Sequence, residues 1–123
     1  TTAGSSSSNE EELMTSLISS ACTIGVNAYP VIVETHINPY RLRIAIVGLP
    51  DTATREAKER LIPAITNSGY ALGSSDIIIN LSPADLRKEG ASYDLPMAIS
   101  ILTALGNLKR EQVEDYLFVG ELA

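Results

Sequence analysis

The fold of this sequence is decided by one short apolar stretch, Ile77-Ile78-Ile79-Asn80-Leu81. It is too apolar to alternate as a half-exposed strand does, and it is too short for a typical helix. A strand that reads as a continuous apolar run is typical of the middle of a sheet that is covered on both faces. We therefore predict a central strand here, with the other elements packed around it.

Three strands are predicted before this stretch, and the second and third of them are predicted to form a hairpin. Residues 17–24 are rich in β-forming side chains, and residues 31–37 alternate between an apolar face and a wetter one. The turn signal Asn38-Pro39-Tyr40 follows, and residues 42–47 alternate again before Gly48. This pattern predicts a hairpin between residues 31–37 and 42–47.

The hydrophobic period becomes helical after Pro50, where a stripe at i, i+4 spacing predicts one buried face. The stripe consists of Ala53, Ala57, Leu61 and Ile65. On the opposite side, Glu56 and Arg60 have the spacing of a surface ion pair. Pro63 lacks a backbone N–H, so a kink or an early helix end is expected there.

A second helix is predicted over residues 95–105, which are apolar nearly all round, so it should be the most buried one. Ser92 or Asp94 is expected to cap its start, and Gly106 to stop it. Residues 116–122 return to a strand pattern, and the sequence ends within that pattern. We expect one domain over residues 14–123, truncated before its end.

Length and composition limit the class of protein. A chain of 123 residues with 45% hydrophobic residues is sufficient for one core. Residues 1–13 are Ser-rich and acidic, so they are predicted to be a disordered tail or a cloning scar. The net charge is -6, and half of it comes from Glu10, Glu11 and Glu12. Such a domain lacks the basic character of a nonspecific nucleic-acid binder.

Cysteine use and hydropathy favour the cytoplasm. Cys22 is the only cysteine, so no internal disulfide can form, and a small buried thiol is the expected role. The sequence has neither a secretory signal nor an apolar run of about 18 residues, so no contact with a membrane is predicted.

Three segments, read together, resemble the N-terminal domain of the magnesium-chelatase-like, ComM-type AAA+ proteins. The first is Val47-Gly48-Leu49-Pro50-Asp51 followed by Arg55-Glu56. The second is Ile79-Asn80-Leu81-Ser82-Pro83-Ala84-Asp85-Leu86-Arg87-Lys88-Glu89-Gly90, and the third is Tyr93-Asp94-Leu95-Pro96-Met97-Ala98. The closing Phe118-Val119-Gly120-Glu121-Leu122-Ala123 is also similar, so the resemblance covers residues 14–123.

The resemblance implies a Lon-protease-like α+β fold, with a mixed sheet and two main helices packed on one side. It also implies that a P-loop ATPase module, which binds ATP and magnesium, follows this domain and forms a ring with other protomers. The sequence itself contains no G-x-x-x-x-G-K-[ST] motif, so this part is not expected to hydrolyse ATP or hold a cofactor. The implied role is that of a non-catalytic accessory domain of a DNA-handling motor, acting in assembly or in substrate or DNA engagement.

Charged residues are densest between Ser82 and Asp94. We expect this loop either to contact other protomers or the ATPase module, or to be simply solvated, since exposed ion pairs stabilise by only about 0 to 1 kcal/mol. Both alternatives stay open. The candidate contact residues are Asp85, Arg87, Lys88, Glu89 and Asp94.

Ser92 is a weak catalytic candidate. The segment Lys88-Glu89-Gly90-Ala91-Ser92 is similar to the one that carries the catalytic serine of Lon-type peptidases. That chemistry needs a desolvated lysine as base, whereas Lys58, Lys88 and Lys109 are all expected to be solvated. No catalytic residue is therefore predicted, and the alternative function is a peptidase that uses Ser92 with a lysine beyond Ala123.

Two smaller groups complete the candidates. Arg41 and Arg43 flank the predicted hairpin turn and are possible nucleic-acid contacts, in one patch with the cations of the loop. ComM-type proteins are associated with DNA handling during natural transformation, which makes DNA a possible partner. Glu34 and His36 share a strand face, but two ligands do not make a metal site, so none is predicted.

Overall fold

The computed structural model describes residues 14–39, 41–86, 88 and 91–122. Within them lie four strands, which are β1 (Thr15–Ile24), β2 (Asn27–Asn38), β3 (Arg43–Val47) and β4 (Asp76–Ser82). The helices are α1 (Asp51–Asn67), α2 (Asp94–Ala104) and the short α3 (Arg110–Val113), and a 3₁₀ turn (Ala91–Tyr93) precedes α2. The tail predicted over residues 1–13 lies outside the described part.

The strands form one mixed sheet in the order β1-β2-β4-β3. β1 and β2 are antiparallel, as are β2 and β4, whereas β3 and β4 are parallel. The predicted central strand is confirmed, because β4 lies between two neighbours. Its burial is one-sided, since Ile77, Ile79 and Leu81 are buried while Ile78 and Asn80 are half-buried.

The predicted hairpin between β2 and β3 is wrong, because β4 lies between these two strands. The hairpin joins β1 to β2 instead, where Ile24 pairs with Asn27 around Gly25 at φ 61°. A glycine at the first position of a two-residue turn is typical of the type II′ hairpin. β3 and β4 are parallel neighbours, which need a crossover connection, and α1 provides it.

Helix α1 buries the predicted stripe at Ala57, Leu61 and Ile65. The predicted early end at Pro63 is wrong, because the helix continues to Asn67. Pro63 removes the N–H that would bond the Glu59 carbonyl, and both residues are exposed, so solvent can reach this carbonyl. A proline on the outer face is therefore compatible with four more helical residues.

Helix α2 is the most buried helix, as predicted, and Met97 and Ile101 are fully buried. It packs on β1 and β2, where hydroxyl groups meet inside the core. Ser16 Oγ donates to the Ser100 carbonyl at 2.7 Å, and Ser100 Oγ donates to Thr35 Oγ1 at 2.5 Å. Because leaving a buried hydroxyl unbonded costs free energy, these contacts help to fix the position of α2 on the sheet.

The α+β class with both main helices on one face of the sheet is confirmed. The buried strand residues share the helix-covered face, whereas Leu17 and Val47 on the other face are 64% and 57% exposed. The strand predicted over residues 116–122 forms one described bridge, between Leu117 and Ser19. None of the described helices has the length and apolar character to cross a membrane.

Replacing Leu61 with Ala should lower the free energy of unfolding by about 2 to 5 kcal/mol, because a fully buried side chain is removed from between α1 and the core. Urea unfolding followed by circular dichroism measures this. Leu17→Ala is the matched control, and its loss should be much smaller because Leu17 is 64% exposed. Equal losses in the two variants would contradict the packing described here.

Candidate functional site

The candidate site is the loop that connects β4 to α2. It begins with a cis peptide bond between Ser82 and Pro83 and ends in the 3₁₀ turn. Arg87 and Glu89, two of the predicted contact residues, lie outside the described part of the chain. Asp85 is exposed, as a contact residue must be. The two remaining predicted residues, Lys88 and Asp94, are buried.

Lys88 is 1% exposed, so the expectation that all three lysines are solvated is wrong for this one. Its Nζ donates to the carbonyl oxygens of Pro83 at 2.5 Å and Leu86 at 2.8 Å. Both acceptors belong to the same loop, so the ammonium group holds the loop in a closed turn. A buried charge is tolerated when it is hydrogen-bonded. In Lys88 the protein carbonyls take the place of the water that surrounds the ammonium group of a surface lysine.

Gly48 brings the first quoted segment into contact with the second. Its φ is 111°, and a Cβ at this position would lie 2.6 Å from the Leu81 carbonyl oxygen and 3.3 Å from Lys88 Cε. Only glycine fits both this backbone conformation and this space. The chain after β3 can therefore pass directly over the end of β4 and the Lys88 stem.

Asp94 is a second internal anchor, because its side chain is 1% exposed and faces Arg60 of α1. Arg60 Nε donates to Oδ2 at 2.5 Å, and Nη2 donates to Oδ1 at 3.1 Å. The backbone N–H of Leu122 also donates to Oδ2, at 3.2 Å. One carboxylate thus joins α1, the start of α2 and the C-terminal segment, so Asp94 is not part of a contact surface in this structure.

Arg60 forms its ion pair with a different carboxylate from the one that its helical spacing predicts. Its i, i+4 spacing suggested a surface pair with Glu56, whereas its side chain reaches Asp94 across 34 positions. The hydrogen bond to Asp94 raises the pKa of the Arg60 guanidinium above its ordinary value. No local pattern predicts this pair, because the two residues meet only when α1 packs beside α2.

Ser92 is exposed and lies in the 3₁₀ turn, one residue before the N-cap position of α2, which Tyr93 occupies. The predicted cap is therefore wrong, and no side chain bonds the helix start. The Ser92 carbonyl accepts a hydrogen bond from Gly120 N at 2.8 Å. Lys88 Nζ donates to the carbonyls of Pro83 and Leu86, and among the described residues it makes no hydrogen bond to the Ser92 hydroxyl.

Cys22 is buried, as expected, and interacts with Tyr93. Burial raises the pKa of the Tyr93 phenol well above its ordinary value, and the hydrogen bond with Cys22 raises it further. These two residues line a cavity of about 400 Å³, together with Ser92, Val119 and residues 21, 23 and 24.

The predicted nucleic-acid patch contains fewer free cations than expected. Arg43 is exposed, but its Nε lies 2.9 Å from Asp76 Oδ1, which offsets its charge. Lys88 is buried, and Arg87 lies outside the described residues. Arg41 is exposed. The described residues therefore present a weaker basic surface than four solvated cations would.

Glu34 and His36 lie close together on the open face of the sheet, with Oε2 and Nε2 3.2 Å apart. Both side chains are nearly half exposed. Across residues 14–39, 41–86, 88 and 91–122, no group of three or more His, Cys, Asp or Glu side chains is arranged to hold a metal ion. This pair is best described as a solvated contact on a strand face.

Comparison with known proteins agrees with the motifs. The family model described as subunit ChlI of magnesium chelatase matches residues 33–123. The chain is 46% identical over 108 residues to the uncharacterized protein YifB of Escherichia coli, covering 88% of this chain. It is 37% identical over 107 residues to the competence protein ComM of Haemophilus influenzae, covering 87% of this chain.

The chain belongs to the magnesium-chelatase-like family. It spans about a fifth of the length of these relatives, 21% in each of the two cases. The segments quoted above for the resemblance include Gly48, Lys88 and Asp94, which the structure places in internal contacts.

Replacing Lys88 with Met should leave the Pro83 and Leu86 carbonyls without their donor and lower the free energy of unfolding by about 1 to 3 kcal/mol. Lys109→Met removes the same charge from an exposed position and should change stability by less than about 0.5 kcal/mol. Chemical denaturation of both variants tests this. A Lys88→Met variant as stable as its control would show that the two hydrogen bonds do not hold the loop.

Replacing Arg60 with Met should leave the Asp94 carboxylate buried and unpaired, and the expected loss is about 3 to 5 kcal/mol. Arg60→Lys should recover only part of it, because an ammonium group cannot bond both carboxylate oxygens as a guanidinium does. Arg55→Met, an exposed position on the same helix, is the control. The assignment fails if thermal unfolding places Arg60→Met and Arg55→Met at the same midpoint.

Proposed function

We propose that this chain is a non-catalytic accessory domain of a longer magnesium-chelatase-like AAA+ ATPase. In this proposal the domain has a Lon-protease-like fold and stands beside the ATPase module of a ring in the cytoplasm. The ATPase module supplies the site for ATP and magnesium. The domain itself serves as a platform for assembly or for substrate or DNA engagement.

The observation that carries the proposal is the internal use of Lys88 and Asp94. Both are charged groups of the type that catalyses proton transfer, and both are buried and bonded within the domain. A lysine that donates to two carbonyls and a carboxylate that accepts from a guanidinium are not free to act on a substrate. These contacts favour a structural role for both residues over a role in an active centre.

The comparisons support a larger parent protein. The chain spans about a fifth of its relatives' length, which leaves room for a separate ATPase module. One relative is named a competence protein, and DNA handling by the parent protein is part of our proposal for that reason. The sequence of the chain contains no P-loop motif, so ATP hydrolysis is assigned to the module and not to this domain.

The test uses the full-length protein with and without residues 14–123. We expect deletion to lower DNA-stimulated ATPase and branch-migration rates, because the motor loses its platform. A second variant, Arg41→Glu, alters an exposed position and should weaken DNA binding and its dependence on salt if the domain engages DNA directly. Unchanged motor rates in the deleted protein would contradict the proposal.

The peptidase alternative is tested in the same protein. A serine-directed phosphonate should not label Ser92, and Ser92→Ala should keep the motor rates of the parent protein, because the Ser92 hydroxyl has no role in this proposal. Specific labelling of Ser92, lost in Ser92→Ala, would replace the accessory role with catalysis.

A further inference from the structure

The C-terminal segment is fixed to the domain at two points. At the first, Val113 of α3 is 5% exposed, and its carbonyl accepts a hydrogen bond from Tyr116 N–H at 3.2 Å. At the second, Leu122 N–H donates to the buried Asp94 carboxylate at 3.2 Å. The chain between these two anchors, residues 117–121, is called the strap below.

The strap itself contributes little to the core. Leu117 and Val119 are 56% and 48% exposed, Glu121 is exposed, and the other two residues are half-buried. Each of the four strands, in contrast, contributes at least one buried side chain. Pairing is also minimal, since β1 pairs with β2 along its whole length but with the strap at one described bridge. An element with so few buried contacts is the kind that opens locally.

Three backbone hydrogen bonds close the strap over the domain. Phe118 N–H donates to the Ser19 carbonyl at 2.9 Å, and Gly120 N–H donates to the Ser92 carbonyl at 2.8 Å. The Gly120 carbonyl accepts from Leu95 N–H at 2.9 Å. None of these five residues is buried, so water can replace each bond when the strap moves away.

The closed strap forms one wall of the cavity of about 400 Å³ beside the 3₁₀ turn. Val119 provides this wall, and residues 21–24 of β1 line the cavity as well. Cys22 and Tyr93 also border the cavity, yet they are only 9% and 1% exposed. A thiol with so little exposed surface can react with a bulky reagent only when part of the wall moves.

The other parts of the wall are held more firmly. Residues 21–24 pair in register with residues 27–30 of β2. The 3₁₀ turn is anchored by Tyr93, whose buried side chain belongs to the hydrophobic core. Among the described residues that line the cavity, Val119 alone lies in an element with neither a continuous strand partner nor a buried side chain. The strap is therefore the part of the wall that costs the least free energy to displace.

We propose that the strap is a gate over the cavity beside Cys22 and Ser92. It swings between the Val113 and Leu122 anchors, which stay in place, and the Gly120 hydrogen bonds hold it closed. Opening exposes the Cys22 thiol and frees the backbone of the Ser92 turn, while the core beneath α2 stays folded. The inference goes beyond the proposed function and does not depend on it.

The reaction of Cys22 with 5,5′-dithiobis(2-nitrobenzoate) measures the opening directly, because this is the only cysteine of the chain. A local opening exposes little surface, so the labelling rate at low urea should hardly depend on urea. Gly120→Pro removes the N–H that bonds Ser92 and should make labelling about tenfold faster, as expected for the loss of one hydrogen bond from the closed state. Glu121→Pro is the matched control, since no described hydrogen bond involves its N–H, and its rate should stay within about twofold.

Two further variants separate the strap from other routes to the thiol. Leu61→Ala lowers global stability away from the strap, so its labelling rate at low urea should not change. Gly25→Ala strains the hairpin at φ 61°, and a larger increase there than in Gly120→Pro would overturn the proposal. Labelling that follows global unfolding in every variant would also overturn it.

Urea unfolding followed by circular dichroism shows whether each variant folds. If Gly120→Pro does not, Gly120→Ala takes its place, because its Cβ would lie 3.3 Å from Leu95 Cδ2 and loosen the strap while the N–H is kept. Its labelling should then be faster than that of the unmodified chain, by less than the proline variant would give. An unchanged rate in Gly120→Ala would contradict the gate.

Discussion

The buried carboxylate of Asp94 constrains the packing of everything around it. A charge that is 1% exposed has lost its hydration, so it must be compensated within the protein. Arg60 provides a guanidinium with two donors, and Leu122 adds a backbone N–H. Because these partners come from α1 and from the C-terminal segment, neither can shift relative to α2 without leaving the charge unpaired. The pair therefore specifies one arrangement of the two helices, even if hydrophobic residues in its place would stabilise the fold as well.

A second constraint of the same kind acts at the other end of the loop. Lys88 bonds two carbonyls of its own loop, and its stem lies against the space that Gly48 leaves open. The turn after β3, the end of β4 and the loop are thus mutually dependent. The segments quoted for the family resemblance include the residues that hold the loop between β4 and α2 in place. Their presence is evidence for a shared fold. It is not evidence for a shared chemistry, because these residues are used in contacts within the domain.

Sequence patterns predicted those features that depend on neighbours in the chain. The i, i+4 stripe of α1 and the central position of β4 were predicted correctly, because periodicity and strand character follow from local spacing. The second covered face expected of β4 was wrong, because no described helix packs on that side of the sheet. The pairing of β2 with β4, in place of β3, was missed because register across a sheet is set by contacts between distant residues. Lys88 and Asp94 were expected at the surface because charged residues are rarely fully buried. Arg60, the partner of Asp94, becomes its neighbour only in the folded chain. The carbonyls that bond Lys88 are close to it in sequence, but no residue pattern shows that the loop turns back onto this side chain.

The burial of charged residues changes which surfaces of the domain are candidates for binding. Charged residues in a loop suggest a contact surface, yet two of those described here are used within the domain. The hairpin end between β1 and β2, residues 23–30, has the opposite property, since it is uncharged and its apolar residues Ile24 and Val26 are exposed. In a chain with a net charge of -6, an exposed apolar surface is a better sign of binding than an ionic one, because burying it gains free energy and costs no charge desolvation.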